Sequence, residues 1–326
     1  MKGNGVMTAK RTNKNRILSV VLATVMIVGV LPLSGNVTYA ETTDERCEVE
    51  GCFGTYDNGF CTVCEGYQSA KLTTDQHDID DDGNKDAVYE ISNAGQLYWF
   101  AALVNGELTD GTGQNTAANA ILMKDIVVNR GTFHEDGTYT EKDESGADVE
   151  SDNYISWTPI GNKFDNRYVG IFDGKNKTIS GLYFDKLSVD CGGLFGIVGV
   201  GVVENVGVVD SYFNGRTCGG VCGLAVDSST NGTITNCYNS GDVKGDTAGG
   251  ICGVNVGVSI MKCYFDRDIY AGNAVEYNAS TTVDTDTVLG KSTAEFQSGE
   301  VAYLLQEAQQ VNSENGNKSL KSGDKI

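Results

Sequence analysis

The segment CGGLFGIVGVGVVENVGVVDSYF at 191–213 carries two glycines, an apolar pair and a third glycine, and this pattern returns as GGVCG at 219–223 and GGICG at 249–253. A looser version, VGIFDG, precedes them at 169–174. A second block follows each in the same order: TISGLYF from Thr178, VENVGVVDSYFNG from Val203, ITNCYNSGDVKG from Ile234 and IMKCYFDRDIYAG from Ile260. A period in the twenties, made of short β-rich pieces, is the mark of a solenoid in which one repeat makes one coil. A lone unit cannot bury its own apolar side chains. Stacked coils about 4.8 Å apart pair their backbones and align like side chains in ladders.

The repeat therefore predicts an all-β chain, a right-handed parallel β-helix with coils of about 23–31 residues over 153–290, three strands and three turns to a coil. Glycine is expected to supply the positive-φ bends between strands. Length differences between coils fall in one turn, LAVDSSTNGT at 224–233 against IVGVGV at 197–202. The cysteines keep the same register. Cys222 and Cys252 stand where Phe195 stands, Cys237 and Cys263 replace Val206, and Cys191 matches Cys218. Buried free thiols acting as small apolar groups, or bonds between neighbouring coils, both satisfy that placement. Glycine is abundant, 42 of 326 residues, and proline nearly absent, which favours ordered strands with tight turns over a low-complexity chain.

Residues 1–40 read as a secretory signal peptide: a basic start (Lys2, Lys10, Arg11, Lys14, Arg16), the apolar run ILSVVLATVMIVGVLPL, then a small polar stretch ending at Ala40. An uncleaved membrane anchor is the rival reading. Removal of the leader leaves 19 basic against 44 acidic residues, a formal charge of −25. Such a surface repels nucleic acid and anionic lipid, so neither a nucleic-acid partner nor membrane insertion after cleavage is expected.

Smaller pieces flank the repeat. A four-cysteine module occupies 41–70, an acidic linker 71–90, a helical cap with a first strand 91–130, and an exposed insertion 131–152. In the cap, Asn93 and Gln96 are spaced as a capping box, Leu97, Phe100, Ala101 and Val104 share one face, and Asn105-Gly106 stops the helix. A second helical cap is expected over 291–311, started by Ser292 and Glu295 with an apolar face of Val301, Leu304, Leu305 and Ala308, before a disordered tail at 312–326. Both helices are placed to cover the open strand edges at the solenoid ends.

Two clusters have metal-binding spacing. Asp78, Asp80, Asp82, Asn84 and Asp86 fit DxDxDGxxD, a calcium loop with Gly83 at its sharp turn and the Asn84 carbonyl as one ligand. Tyr89 stands where a bidentate Glu belongs, and Glu90 is one residue late, so a shifted ligand or weak affinity is expected. Cys47, Cys52, Cys61 and Cys64 space as CxxxxC, then CxxC, like a miniature zinc ribbon. Export favours two disulfides at the same positions, and the spacing allows either.

The repeats resemble the GLUG-motif repeats of bacterial surface and secreted proteins, which also occur as accessory regions in IgA-protease-type polypeptides. The resemblance covers roughly 86–310, including AGQLYWFAALVNG and GEVAYLLQ, blocks that often flank such repeats. It implies a β-helical stalk or display surface on a bacterial cell, Gram-positive and gut-associated, without a defined ligand. Proteases with these repeats carry a separate HExxH zinc site. His77 and His134 do not form that pair, so protease activity is not carried over.

Parallel β-helices also host polysaccharide lyases and hydrolases, whose chemistry needs facing carboxylates or a calcium–carboxylate cluster beside a base. The repeats offer Asp210, Asp227, Asp242, Asp246, Asp266 and Asp268, with Arg216, Lys244 and Arg267, but no paired acids and no histidine. The reading is thus a non-catalytic, secreted or cell-surface, structural or adhesive β-helix presenting a face to an extracellular glycan or protein. A carbohydrate-active enzyme, or a truncated accessory region of a larger surface enzyme, stands as the alternative.

Overall fold

The computed structural model describes residues 46–314 apart from 65 and 230, so the leader over 1–40 and the end of the tail lie outside the described residues. Parallel pairing runs from strand to strand along the chain. Asp86–Ile91 pairs with Asn119–Leu122, then Ile171–Ser180, Val202–Gly219, Tyr238–Gly249, Cys263–Asp266 and Val288–Lys291. A second wall stacks Phe195–Val198, Cys222–Val226, Cys252–Val256 and Val275–Asn278. The product is a β-solenoid of about 6 turns.

Burial follows the register. Tyr89, Ala120, Phe172, Val203, Ile234 and Ile260 form one ladder, and from Ala120 onward every member is fully buried. Leu194, Val221 and Ile251 are also fully buried, with the Leu194 N–H donating to the Gly220 carbonyl at 3.3 Å and the Val221 N–H to the Ile251 carbonyl at 3.0 Å. Phe195, Cys222 and Cys252 are register partners, and all six repeat cysteines are buried outside any disulfide. One alignment shifts by a residue. Cys218 lies between Gly192 and Ala248, while Cys191 pairs with Thr217, because the strand carrying Cys191 has a register irregularity just before it.

The repeated glycines work differently from the expected bends. Of the two glycine pairs at 219–220 and 249–250, no member has a positive φ; Gly193 in the first pair does, at 151°. What they supply is clearance. A Cβ on Gly220 would lie 2.1 Å from Asn239 Cγ, and one on Gly250 2.4 Å from Phe265 Cγ, so any side chain there collides with the opposite wall. Other coil glycines do supply left-handed bends, among them Gly181 (φ 73°) and Gly257 (φ 104°), and further bends fall on Asn205 (φ 56°), Asn236 (φ 53°) and Lys262 (φ 52°), one in each successive second block. Asparagine tolerates this conformation. Its amides also chain together: Asn236 Nδ2 donates to Asn205 Oδ1 at 3.2 Å, and Asn205 Nδ2 to Asp173 Oδ1 at 2.9 Å.

Helix α1 (Ala94–Asn105) starts where Asn93 Oδ1 accepts the Gln96 N–H and ends at Gly106, with φ 69°. All twelve of its residues are buried, well beyond the single face expected. Phe100 meets Tyr168 and Phe172 of the coil interior at 6.2 and 6.1 Å. On another side Tyr98 meets Phe60 at 5.1 Å, and Gly95 is pressed onto Gly59, whose carbonyl oxygen would be 1.8 Å from a Cβ. The cysteine module is therefore docked onto the helix. A helix apolar all round needs such cover on more than one side.

The insertion is a folded three-stranded antiparallel sheet, Thr132–Phe133, Tyr139–Lys142 and Asp148–Glu150. It sits on the outer wall through Phe133, stacked on Tyr183 at 4.8 Å, which in turn stacks on Tyr212 at 5.6 Å. At the far end come α2 (Thr293–Gln297), opened by a Ser292–Glu295 capping box, and α3 (Glu300–Glu314). Val301 and Leu305 of α3 pack with Tyr264 in a cluster of their own, so this helix lies along the side of the last coils; the Ala308 side chain is outside the described residues.

Clearance at the glycine corners can be checked. Gly250→Ala should lower stability by about 1–3 kcal/mol through forced repacking, read as a drop in melting temperature. Gly113→Ala, where a Cβ meets nothing within 4 Å, should leave it unchanged.

Candidate metal centres

The cysteine module is small, with a two-stranded hairpin, Tyr56–Asp57 against Phe60–Cys61, turned by Asn58 and Gly59 in left-handed conformations. Cys47 and Cys52 precede the hairpin, Cys61 ends it, and Cys64 lies in the turn beyond. The four Sγ atoms all lie within 4.8 Å of one another. Cys47 Sγ is 3.4 Å from Cys64 Sγ, and Cys52 Sγ is 3.5 Å from Cys61 Sγ. Backbone N–H groups point at two of the sulfurs: Val63 and Cys64 donate to Cys61 at 3.4 Å each, and Gly54 to Cys52 at 3.5 Å. Burial resists ionisation of Cys61, and the donors from Cys64 and Val63 outweigh it, holding that thiol down to about 6. Cys64 is pushed up to about 12, chiefly by burial. The sequence reading missed Gly54, whose Cβ would lie 2.6 Å from Cys61 Sγ.

The acidic loop is the turn of the hairpin formed by Lys71–His77 and Asp86–Ile91. It brings together Asp78, Asp80 and Asp86, with ligand-type oxygens within 4.8 Å of one another. Asp82 and Asn84 turn toward each other instead: Asp82 accepts from the Asn84 N–H at 2.8 Å and from its Nδ2 at 3.1 Å. Glu90 does not shift into the cluster. It is buried in the strand and bound by Lys71 Nζ at 3.1 Å and His77 Nε2 at 3.0 Å, which hold its carboxyl below the ordinary range. Asp78 Oδ1 is buried without a hydrogen-bond partner, an oxygen that a cation would satisfy. Both clusters could hold a metal ion.

Acidic groups of the coils have backbone work. Asp227 is buried, so desolvation opposes its charge, yet N–H groups of Gly232, Ser229 and Asn231 and the Ser229 hydroxyl bind it and bring it to about 2. Asp266 accepts from the Asp268 N–H at 3.0 Å and the Thr293 hydroxyl at 2.7 Å. Asp242 lies 3.3 Å from Lys244, and burial raises its pKa. Asp210 is a left-handed turn residue, φ 48°. The two histidines lie apart in separate elements, His77 on Glu90 and His134 on Thr140.

One acidic pair escaped the sequence reading. Asp173 and Glu204 are register partners on adjacent coils, both buried. Asp173 is held by Lys175 at 2.7 Å and by Asn205. Glu204 is pushed up to about 8, first by burial and then by the Asp173 charge.

No family model matches the chain. Over 124 residues it is 35% identical to halomucin from Haloquadratum walsbyi, a match that takes in 37% of this chain and 1% of halomucin. Among solved structures, a Bacteroides ovatus protein provisionally described as an immunoglobulin A1 protease aligns at 22% identity and a TM-score of 0.36. That alignment covers 55% of this chain and 47% of the other, a likeness too slight to bear on activity. Among the described residues, no helix is long and apolar enough to cross a membrane.

Glu204 generates a pH prediction. Its folded pKa of about 8 exceeds the ordinary 4.5, so the folded state holds more protons between those values. The stability it contributes is complete below 4.5 and declines as pH rises through about 8. Glu204→Gln should flatten that decline, gaining at least about 1.4 kcal/mol over the wild type at pH 9, as measured by urea unfolding at both pH extremes.

Proposed function

We propose that this chain is a secreted or cell-surface β-helix of the GLUG-repeat kind. Its rod presents an outer wall to an extracellular glycan or protein and performs no chemistry of its own. The observation that supports this most is how the coil carboxylates are used: Asp173, Asp227 and Asp266 are buried and tied to backbone or neighbouring groups, which leaves them as parts of the frame. An acid–base catalyst must reach its substrate.

The insertion sheet lies against Tyr183, on a strand Tyr183–Gly192 that pairs with Val202–Gly219, and α3 lies against Tyr264. The second wall carries a register row of Leu224, Val254 and Tyr277, half-buried at the first two and 58% exposed at Tyr277. Flat aromatic and aliphatic surface in a straight row suits stacking against sugar rings or an apolar strip of another protein. On a glycan array the full chain should bind saturably without turnover, and Tyr277→Ala should weaken binding at least fivefold while the circular dichroism is unchanged. Release of reducing sugar or unsaturated uronate from plant or mucin polysaccharides would establish an enzyme instead.

The acidic hairpin belongs to the same extracellular reading, as a calcium loop ligated by Asp78, Asp80 and Asp86 with the orphan Asp78 oxygen facing the ion. Three carboxylates without a bidentate Glu place the affinity in the weak range of extracellular modules, roughly 10⁻⁴–10⁻³ M. Calorimetric titration of the full chain should show calcium binding in that range, abolished by Asp78→Asn with Asp86→Asn. No heat up to several times the upper value removes the calcium loop.

A further inference from the structure

We infer that Cys47, Cys52, Cys61 and Cys64 bind one zinc ion as four thiolates, and that this ion locks the cysteine module onto the helix closing the N-terminal end of the solenoid. The first part rests on convergence. Two disulfides need two separate sulfur pairs, whereas one tetrahedral ion needs four sulfurs about a single point. With zinc–sulfur bonds near 2.3 Å, the edges of that tetrahedron are roughly 3.8 Å. Two of the sulfur–sulfur distances, 3.4 and 3.5 Å, and the common limit of 4.8 Å bracket that edge.

The backbone supplies a second, independent reason. Four thiolates and one Zn²⁺ carry a net charge of −2, and binding releases to solvent the protons that the thiols still hold. That negative charge needs donors. Val63 and Cys64 N–H groups both point at Cys61 Sγ, and the Gly54 N–H repeats the contact at Cys52 Sγ two residues before it. Donors aimed at sulfur gain most when the sulfur is anionic. Gly54 is also the residue whose Cβ would strike Cys61 Sγ, and a Cβ on Gly66 would lie 3.3 Å from Cys64 Sγ, so both turns are cleared for the sulfurs.

The second part follows from where the module sits. Asn58 and Gly59, at the tip of the hairpin between Cys52 and Cys61, are the residues that grip the helix start. The Gly95 N–H donates to the Asn58 carbonyl at 2.9 Å, Asn58 Nδ2 donates to the Val127 carbonyl at 2.8 Å, and Phe60 packs edge-on to Tyr98. Only Cys47, Phe60 and Cys61 among the described apolar side chains of residues 46–66 are buried. So small a core cannot hold the hairpin in shape unaided, and a metal takes over that task.

The test uses the full chain exported through a bacterial secretion route, so that oxidation has its opportunity. Elemental analysis should find one zinc per chain, and denatured intact mass should equal the fully reduced sequence. Cobalt exchange should give the visible bands of tetrahedral thiolate coordination. A four-proton mass deficit without zinc, or iron in its place, overturns the assignment. Gly54→Ala, which keeps all four thiols but sets a methyl group against Cys61 Sγ, should weaken zinc retention against a chelator more than tenfold while the coil circular dichroism persists; unchanged retention counts against the cradle. After chelation, hydrogen exchange should rise across residues 94–105 and not across 202–219. Equal protection of 94–105 with and without zinc would refute the lock.

Discussion

A parallel solenoid bonds each coil only to the coils on either side, so an error in register cannot be absorbed locally. It would carry every interior side chain of that coil to the wrong place. This chain meets the constraint with ladders of apolar side chains, such as Phe172, Val203, Ile234 and Ile260, and with turns that repeat from coil to coil. Asn205 and Asn236 set the bend and bind one another through their amides, so the turn is itself a vertical ladder. The paired glycines let the two walls approach closely enough that Asn239 and Phe265 reach across. Asn239 satisfies its own amide with the N–H and carbonyl of Gly241, which is how a polar side chain survives inside an apolar column.

Stacking leaves the two ends as the weak points, and the ends differ. At the start, Lys71–His77 runs antiparallel beside Asp86–Ile91, and its exposed side chains are mostly polar or charged, which blunts the edge. Behind it α1 fills the mouth of the interior, and the cysteine module covers α1. Three layers thus succeed one another along the axis: coil, helix, module. At the other end α2 and α3 run beside the coils, and Arg267, Lys291, Glu295 and Glu300 tie them to the last strands through ion pairs of 2.7–3.3 Å.

Much of the architecture was legible in the sequence because the period and the apolar positions repeat together. The chemistry of single positions was less so. Glycine at a corner reads the same whether it serves conformation or clearance, and only the opposite wall, distant in sequence, decides between them. Asn205 and Asn236 could have been recognised as bends, but Lys262 breaks the series. The four cysteines were readable as one site from their two knuckles. In the acidic loop, spacing placed five residues in a ligand row, yet Asp82 and Asn84 bond each other, a local competition that spacing does not express. Helix α1 was legible as a helix with one apolar face, while its burial on all sides was not, although AGQLYWFAALVN carries no charged residue. The Asp173–Glu204 pair was hidden because its members lie in different repeats.

The six thiols inside the coils give the rod an asymmetry in time. While the coils are wound, Cys218, Cys222, Cys237, Cys252 and Cys263 have no exposed surface and Cys191 almost none, so an oxidant finds nothing to attack. Once a coil opens in an oxidising medium, those sulfurs meet oxygen and one another in an unwound chain, and crosslinks formed there would trap it. Persistence of the molecule is then governed by how seldom it opens, and its lifetime becomes a kinetic property of the winding.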